Sequence, residues 1–441
     1  MKKMKKMKKR LLITFGIGLI ILILLAAVGC LYFMPFGLGG TYPDQPDALP
    51  GDTVLSAQQV QEDRQQLIDY VESVHPFFID GSDQTAYESA KGKYVKVTNG
   101  DMTVNDFMGA TAEYLTVFGD GHTALRWQYG DEVEIYHSYT NGRMYYADES
   151  GVTDQWITAV DDVPMEQIFA TMDRLFPVEN EMGVMTNYNA YFTSSNLLRM
   201  AGVDVEKEVF TITLSDGSQV ECGWYVPDET IASRQEGNNA YWYKDIFVVQ
   251  FVSCDDDDNL KYIANELKTA VENGCSKVII DARGNGGGSS NACARLLWAM
   301  DMQAPSYGML VRYSPAAKEQ VGYLRSSGKY LAQPRAKARQ NEQVELVVLC
   351  DRYTYSSATM LCVFVQDGQL GTLIGEPSSN MPNHYGDITY VALENSHLYA
   401  SVSHKRFLRP SGETEGRMVV PDIQTTSGDA YQAALDFLNG K

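Results

Sequence analysis

The sequence predicts an α/β fold, α+β when the whole chain is counted, and three observations carry that expectation. From residue 245 onward short apolar runs alternate with helix-like segments: "IFVVQFV", a helix over about 259–272, "KVIIDA", a helix over about 290–300, "MLVRYS", "ELVVLC", a helix from Ser357, then "TLIGE". This alternation argues for at least partly parallel pairing, and "ITYVAL" with "LYASVS" adds a late hairpin. Upstream, residues 56–125 read as helical, with a three- to four-residue apolar spacing over 56–75, while residues 126–240 read as short alternating stretches rich in Tyr and Thr, cut by turns such as "TNGR" and "SDGS".

Taken in order, residues 1–10 hold seven Lys and Arg, a basic tail, and 24 uncharged residues follow in "LLITFGIGLIILILLAAVGCLYFM". That length suits a transmembrane anchor over 11–35 with its amino terminus in the cytoplasm and the body outside the cell membrane, crossed once. A lipoprotein signal ending at Cys30 is the rival reading. Residues 36–55, with "GLGGTYPDQPDALPGDT", suit a linker. The helical module of 56–125 places Val60, Leu67, Val71 and Val74 on one helix stopped by Pro76. A second helix runs over about 104–118, with Thr103 as N-cap and Gly119 beyond its end. The β-rich middle module, 126–240, contains one helix near 165–175. Its "WITAVDDVPMEQIF" is similar to the PDZ-like inserts of some proteases, beside the plainer reading of a structural β insert. Residues 241–441 form the α/β domain.

Without the basic tail, 29 Lys and Arg of the 36 remain against 56 Asp and Glu, a formal charge near −27. Nucleic acid is excluded as a partner for so acidic a body. Cys222, Cys254, Cys275, Cys293, Cys350 and Cys362 lack the paired spacing of a zinc site and read as buried thiols rather than a disulfide framework. "CDDDDN" at 254–259 reads as a helix cap in a solvated loop rather than a cation site.

Three stretches put polar or flexible residues at the edge of an apolar element: "GDGHT", "DARGNGGGSS" and "YTYSSATM". Four glycines within five residues at the end of "KVIIDA" let backbone N–H groups face a cleft, where they can hold an oxyanion. The stretch matches neither a phosphate-binding loop nor a dinucleotide fingerprint. Ser356 or Ser357, at the start of a helix, is read either as an N-cap or as a hydroxyl helped by the positive helix end. A serine nucleophile needs a base, and His122 lies among small turn-forming residues that let an imidazole reach a cleft.

In this order, "VESVHPFF", "FGDGHTAL", "VIIDARGNGGGSS", "YTYSSATM", "LIGEPSSNMPNHYGD" and "EGRMVVPDI" resemble the tricorn and C-terminal-processing serine peptidase family over about residues 56–425. The resemblance implies a Clp/crotonase-like catalytic domain, a peptide or protein substrate, an acyl-enzyme mechanism and no metal or organic cofactor. Ungapped alignment of "VFVQDGQLGTLIGEP" puts the nucleophile on Ser356. Where the processing branch carries its lysine base this chain has Met381, so the tricorn-like branch fits better. That branch implies His122 as base and Glu415, with Glu413 its less favoured neighbour, as the acid that orients the relay. The N–H groups of Ser357 and Gly287 would form the oxyanion hole. His384 is the rival base, and His75 reads as structural. Two other classes stay open: a non-catalytic peptide-binding scaffold retaining the fold, and a crotonase-type acyl-CoA enzyme.

Overall fold

A computed structural model describes residues 15–17, 19, 22, 23, 29, 32–126, 132–225 and 237–440. The basic tail and Cys30 lie outside the described residues, as does most of the anchor expected over 11–35. Among the described residues no helix is long and apolar enough to cross a membrane.

The first module holds α1 (Ala57–Val74), α2 (Thr85–Val97) and α3 (Val104–Leu115), followed by the short strand β1 (Ala124–Leu125). Ser56 and Gln59 close a capping box at the start of α1, and the Thr103 hydroxyl accepts the Asp106 N–H at the start of α3. Gly119 ends this helical stretch in a left-handed turn, φ 53°. Helix α2 escapes the sequence pattern because it buries only Tyr87 and Tyr94, so it has no apolar stripe.

The middle module contains β2 (Glu132–Val133), β3 (Tyr136–Thr140), β4 (Arg143–Asp148), β5 (Gly151–Val160), α4 (Met165–Leu175), α5 (Glu181–Tyr191), α6 (Ser195–Met200), β6 (Val209–Leu214) and β7 (Gln219–Tyr225). Its strands pair in the order β2-β7-β6-β5-β4-β3, all antiparallel. Only α4 was expected. Helix α5 buries just Gly183 and Tyr188 and is started by Asn180, whose side chain accepts the Gly183 N–H.

The carboxyl-terminal part continues with β8 (Asn239–Tyr243), β9 (Ile246–Gln250), α7 (Asp258–Glu272), β10 (Lys277–Asp281), α8 (Ser290–Ala299), β11 (Gly308–Arg312), α9 (Pro315–Val321), β12 (Lys329–Ala332), β13 (Glu345–Cys350), α10 (Ser357–Gly368), β14 (Thr372–Gly375), β15 (Tyr385–Ala392), β16 (Tyr399–Leu408), β17 (Ile423–Gln424) and α11 (Ala430–Leu438). One sheet runs β8-β9-β10-β13-β14-β17, parallel except for the β8/β9 hairpin. Its central strands are buried on both faces. Val278 and Val348 meet Leu260, Leu296 and Leu361 of α7, α8 and α10, while Val248, Ile279 and Val347 meet Ala434 and Leu438 of α11. Asp257 caps α7 by accepting the Leu260 N–H, which accounts for part of the acidic run.

Two expectations change here. The strand from "MLVRYS" and the late hairpin leave the parallel sheet and build a second one, β12-β11-β16-β15, with β1 paired to β16. Their alternation with helices reflects chain order, not shared pairing. The supposed linker is docked on the body: Leu38 and Thr41 donate N–H groups to Gly322 and Glu319, and Tyr399 donates to the Pro43 carbonyl. A Cβ at Gly40 would lie 2.1 Å from the Glu319 oxygen, so glycine permits that approach. The six described cysteines are free thiols, and Cys275 alone among them is not buried.

Candidate active site

Adjacent parallel strands β10 and β13 end side by side, and their carboxyl ends carry the glycine turn and the serine turn, where α/β sheets present ligands. Asp351 ties the two turns together. Its Oδ1 accepts N–H groups from Gly284, Tyr353 and Thr354, and its Oδ2 accepts the Ser427 hydroxyl. The Thr354 hydroxyl donates to the Ala282 carbonyl, and the Tyr355 N–H donates to the Asn285 carbonyl. The serine turn is thus fixed before α10 begins.

Ser356 occupies the N-cap position of α10, yet its side chain makes no capping bond, and its backbone is at φ 51°, ψ −123°. A non-glycine residue held there is strained and exposes its hydroxyl, as in strand-turn-helix nucleophile elbows. The Ser356 N–H donates to Asn380 Oδ1 at 2.9 Å. The Ser357 hydroxyl instead donates to the Gly288 carbonyl at 2.8 Å. These bonds give the two serines different tasks.

His122 Nε2 lies 3.0 Å from Ser356 Oγ. The imidazole is carried on the turn before β1, and the Ser401 hydroxyl from the partner strand β16 donates to the His122 carbonyl. Behind it, Asp120 is fully buried, with Oδ1 3.5 Å from His122 Nδ1. That separation exceeds a short hydrogen bond, and Nδ1 has no nearer partner among the described residues; such bonds often tighten when substrate binds. Asp120 Oδ2 accepts the hydroxyls of Thr123 and Ser403 and faces His75 Nε2 at 3.4 Å. Because His75 Nδ1 accepts the Phe77 N–H, its ring proton faces Asp120.

The electrostatics follow. Burial alone would push the His122 imidazole down, but the bond and charge of Asp120, with Glu179 behind, outweigh it and hold the pKa above the ordinary histidine value. Burial likewise opposes ionisation of Asp120, but its contacts with His122 and His75 hold the carboxyl well below the usual range. His384, stacked beside His122 at 5.9 Å, is pushed down to about 4 by burial and by the neighbouring His122. Its Nδ1 is engaged at 3.1 Å by the Met381 carbonyl. Among the described residues it makes no hydrogen bond to Ser356.

Two expected residues change role. Glu415 is exposed, and its backbone N–H donates to the Glu413 carboxylate; the Asp120 carboxylate lies behind His122 instead. Glu413 is turned to Arg409. The reason is local: "SGETEG" forms a surface turn around its own carboxylate and Arg409, which keeps both glutamates in solvent. Gly287 supplies room instead of a donor, since its N–H goes to Asn285 Oδ1 at 2.9 Å. A Cβ there would lie 2.6 Å from Ser356 Cβ. The Ser357 N–H has no acceptor among the described residues and remains available for an oxyanion.

Glu179, on the α4–α5 connection, also escaped sequence reasoning. It is 4% exposed, and its carboxylate accepts from Tyr355 Oη (2.6 Å), Asn380 Nδ2 (2.7 Å) and the Met381 N–H (2.6 Å). Nothing in "FPVENE" marks it, because its partners lie up to 202 positions away. Asp120, His122 and Glu179 could together offer three ligand atoms to a cation. Their oxygens are already acceptors for N–H and O–H groups, so a cation would displace an existing network. Gly121, Glu179 and Tyr355 also line a cavity of about 900 Å³.

Residues 245–425 match peptidase family S41. No curated protein matches the chain. Among solved structures, mature CPAF complexed with lactacystin is similar at 13% identity and a TM-score of 0.58, over 87% of this chain and 98% of that one. Mature CPAF without that compound gives 14% identity and 0.57, over 87% and 96%. The photosystem II D1 C-terminal processing protease is a looser likeness, at 14% identity and 0.44, over 84% and 93%. These likenesses concern the fold; the segment similar to peptidase family S41 contains Ser356 and both turns that frame it, and it supports reading the chain as a serine peptidase.

Proposed function

We propose that the chain is a membrane-anchored, extracytoplasmic peptidase in which Ser356 attacks, His122 moves the proton and Asp120 orients the imidazole. The observation that carries this reading is the 3.0 Å contact of His122 Nε2 with Ser356 Oγ. Ser356 Oγ adds to the carbonyl carbon of a peptide bond while its proton passes to His122 Nε2. The tetrahedral oxyanion takes the Ser357 N–H, and His122 returns the proton to the leaving amine. Water then repeats the sequence on the acyl-enzyme and releases Ser356. Asp120 stabilises the imidazolium formed in each half without itself taking the proton. No lysine is needed, consistent with Met381 at the lysine position of the processing branch.

The anchor is supported by the apolar run of 11–35 and the seven cations before it, which favour a body outside the cytoplasm. Labelling of the full chain by a fluorophosphonate, lost in Ser356→Ala, tests the chemistry. A folded wild type that stays unlabelled would favour the scaffold reading. Protease added outside intact cells should digest the body, whereas protection of the body would refute the topology.

A further inference from the structure

We infer that Glu179 of the middle module is a positioning residue for Ser356, holding the nucleophile turn through Asn380 and Tyr355 although it touches neither nucleophile nor base. This rests on Ser356 and His122 acting as proposed above. A buried carboxylate is costly unless its oxygens are satisfied, and among the described residues no Lys or Arg pairs with this one. Instead it collects N–H and O–H donors from Tyr355, Asn380 and Met381, with Gly121 N–H at a longer 3.4 Å. The Asn380 amide and the Met381 and Gly121 N–H groups can only donate, so these three favour the ionised form, while burial pulls the other way and holds the Glu179 pKa above the ordinary glutamate value.

The donors are placed where the chemistry needs support. Tyr355 precedes Ser356 and its ring lies 5.0 Å from that of His122, while Gly121 precedes His122. Asn380 is the decisive link. It can turn Oδ1 to the Ser356 N–H only while its Nδ2 has an acceptor, and Glu179 Oε2 is that acceptor. Ser356 sits at φ 51°, a conformation that persists only when its surroundings over-determine it. Glu179 is itself fixed: its carbonyl accepts Arg417, and Asn180 donates to the carbonyls of Ser378 and Arg417. The chain from Arg417 through Glu179 and Asn380 to Ser356 makes the middle module part of the catalytic unit.

The test uses the full chain in detergent, with a fluorophosphonate and fluorescein-casein as probes. Glu179→Gln keeps the shape but presents an amide to donors. The labelling rate should fall about 10- to 100-fold, as expected for a nucleophile displaced by a fraction of an ångström, with casein kcat falling and KM little changed. The groups acting on His122 are Asp120, Glu179, His384 and Arg126, with Tyr355 against its ring and Asp387 farther off. Removing the Glu179 anion should also move the acid limb of the pH–rate profile to lower pH. Unchanged labelling across pH overturns the proposal, and so does a loss that only tracks lowered thermal stability with an unshifted acid limb. If Glu179→Gln does not fold, Tyr355→Phe decides: a roughly 10-fold fall supports the proposal and an unchanged rate overturns it. An unlabelled wild type is separate, since it removes the nucleophile reading and this proposal with it.

Discussion

The two halves of the site are built in different ways. The nucleophile half is local: β13, the turn 351–355 and α10 are consecutive in the chain, and Asp351 staples them to the glycine turn of the neighbouring strand. The histidine half is assembled from a distance, because His122 sits on the turn just before a two-residue strand paired to β16, and its acid is held by hydroxyls and His75 from three elements. Residues 245–425, which match the peptidase family, contain the first half and leave out His122, Asp120 and Glu179. The nucleophile's turn is formed within one strand-turn-helix unit and braced from outside by Asn380 and Glu179, whereas the base and its acid are brought to it wholly by tertiary contacts.

Breaking the histidine half should have the largest effect. His122→Ala is expected to lower casein hydrolysis by roughly 10⁴-fold or more, leaving any residual rate to the oxyanion donor and binding. Full activity in this variant, measured with Ser356→Ala as the zero, would sink the assignment.

Next comes Asp120→Asn, expected to cost about 10²- to 10⁴-fold and to change pH dependence. His122 must be neutral to accept a proton, and its raised pKa makes wild-type activity fall as pH drops through a value above the ordinary histidine one of about 6.5. Without the Asp120 charge, burial prevails and the acid limb moves to lower pH. Stability carries the opposite sign for the two groups. The depressed Asp120 contributes stability present above the ordinary aspartate value of about 3.9 and lost as pH falls through its folded value. The raised His122 contributes stability present below about 6.5 and lost as pH rises through its folded value. Melting curves on the acid side should therefore be flatter in Asp120→Asn than in wild type, and a parallel slope would contradict the assignment.

The nucleophile half can be broken without touching a reactive group. Gly287→Ala puts a Cβ 2.6 Å from Ser356 Cβ at φ 106°, a conformation unfavourable to alanine. A destabilisation of about 3 kcal/mol is expected from strain and overpacking together. Denaturant unfolding measures the cost, and fluorophosphonate labelling should fall even where the variant is folded.

This asymmetry also explains what the sequence could reveal. The strand-turn-helix units at 277–299 and 345–368 announce themselves by apolar runs ending in glycines or serines, because each is completed within about twenty residues. His122 was legible only through its motif and its company. Glu179 and the pairing of β11 with β16 were not legible, since both depend on contacts between segments far apart in the chain. Helices α2 and α5 lacked an apolar stripe because they bury only two residues each.

The smallest expected effect sharpens the comparison most. Family order alone pointed to Glu415 as the acid, because it precedes "PD" near the carboxyl end, while the geometry puts Asp120 behind His122, two residues from it in the same turn. Glu415 is exposed, and its contact to Glu413 is made through its backbone N–H, which alanine retains. Glu415→Ala should therefore leave casein kcat/KM within about twofold of wild type and stability within about 0.5 kcal/mol. If it matched the loss in Asp120→Asn, the orienting acid would have to come from the carboxyl-terminal surface turn in the substrate-bound enzyme. The histidine half would then be completed by closure of that turn, and the difference in preorganisation between the halves would be larger still.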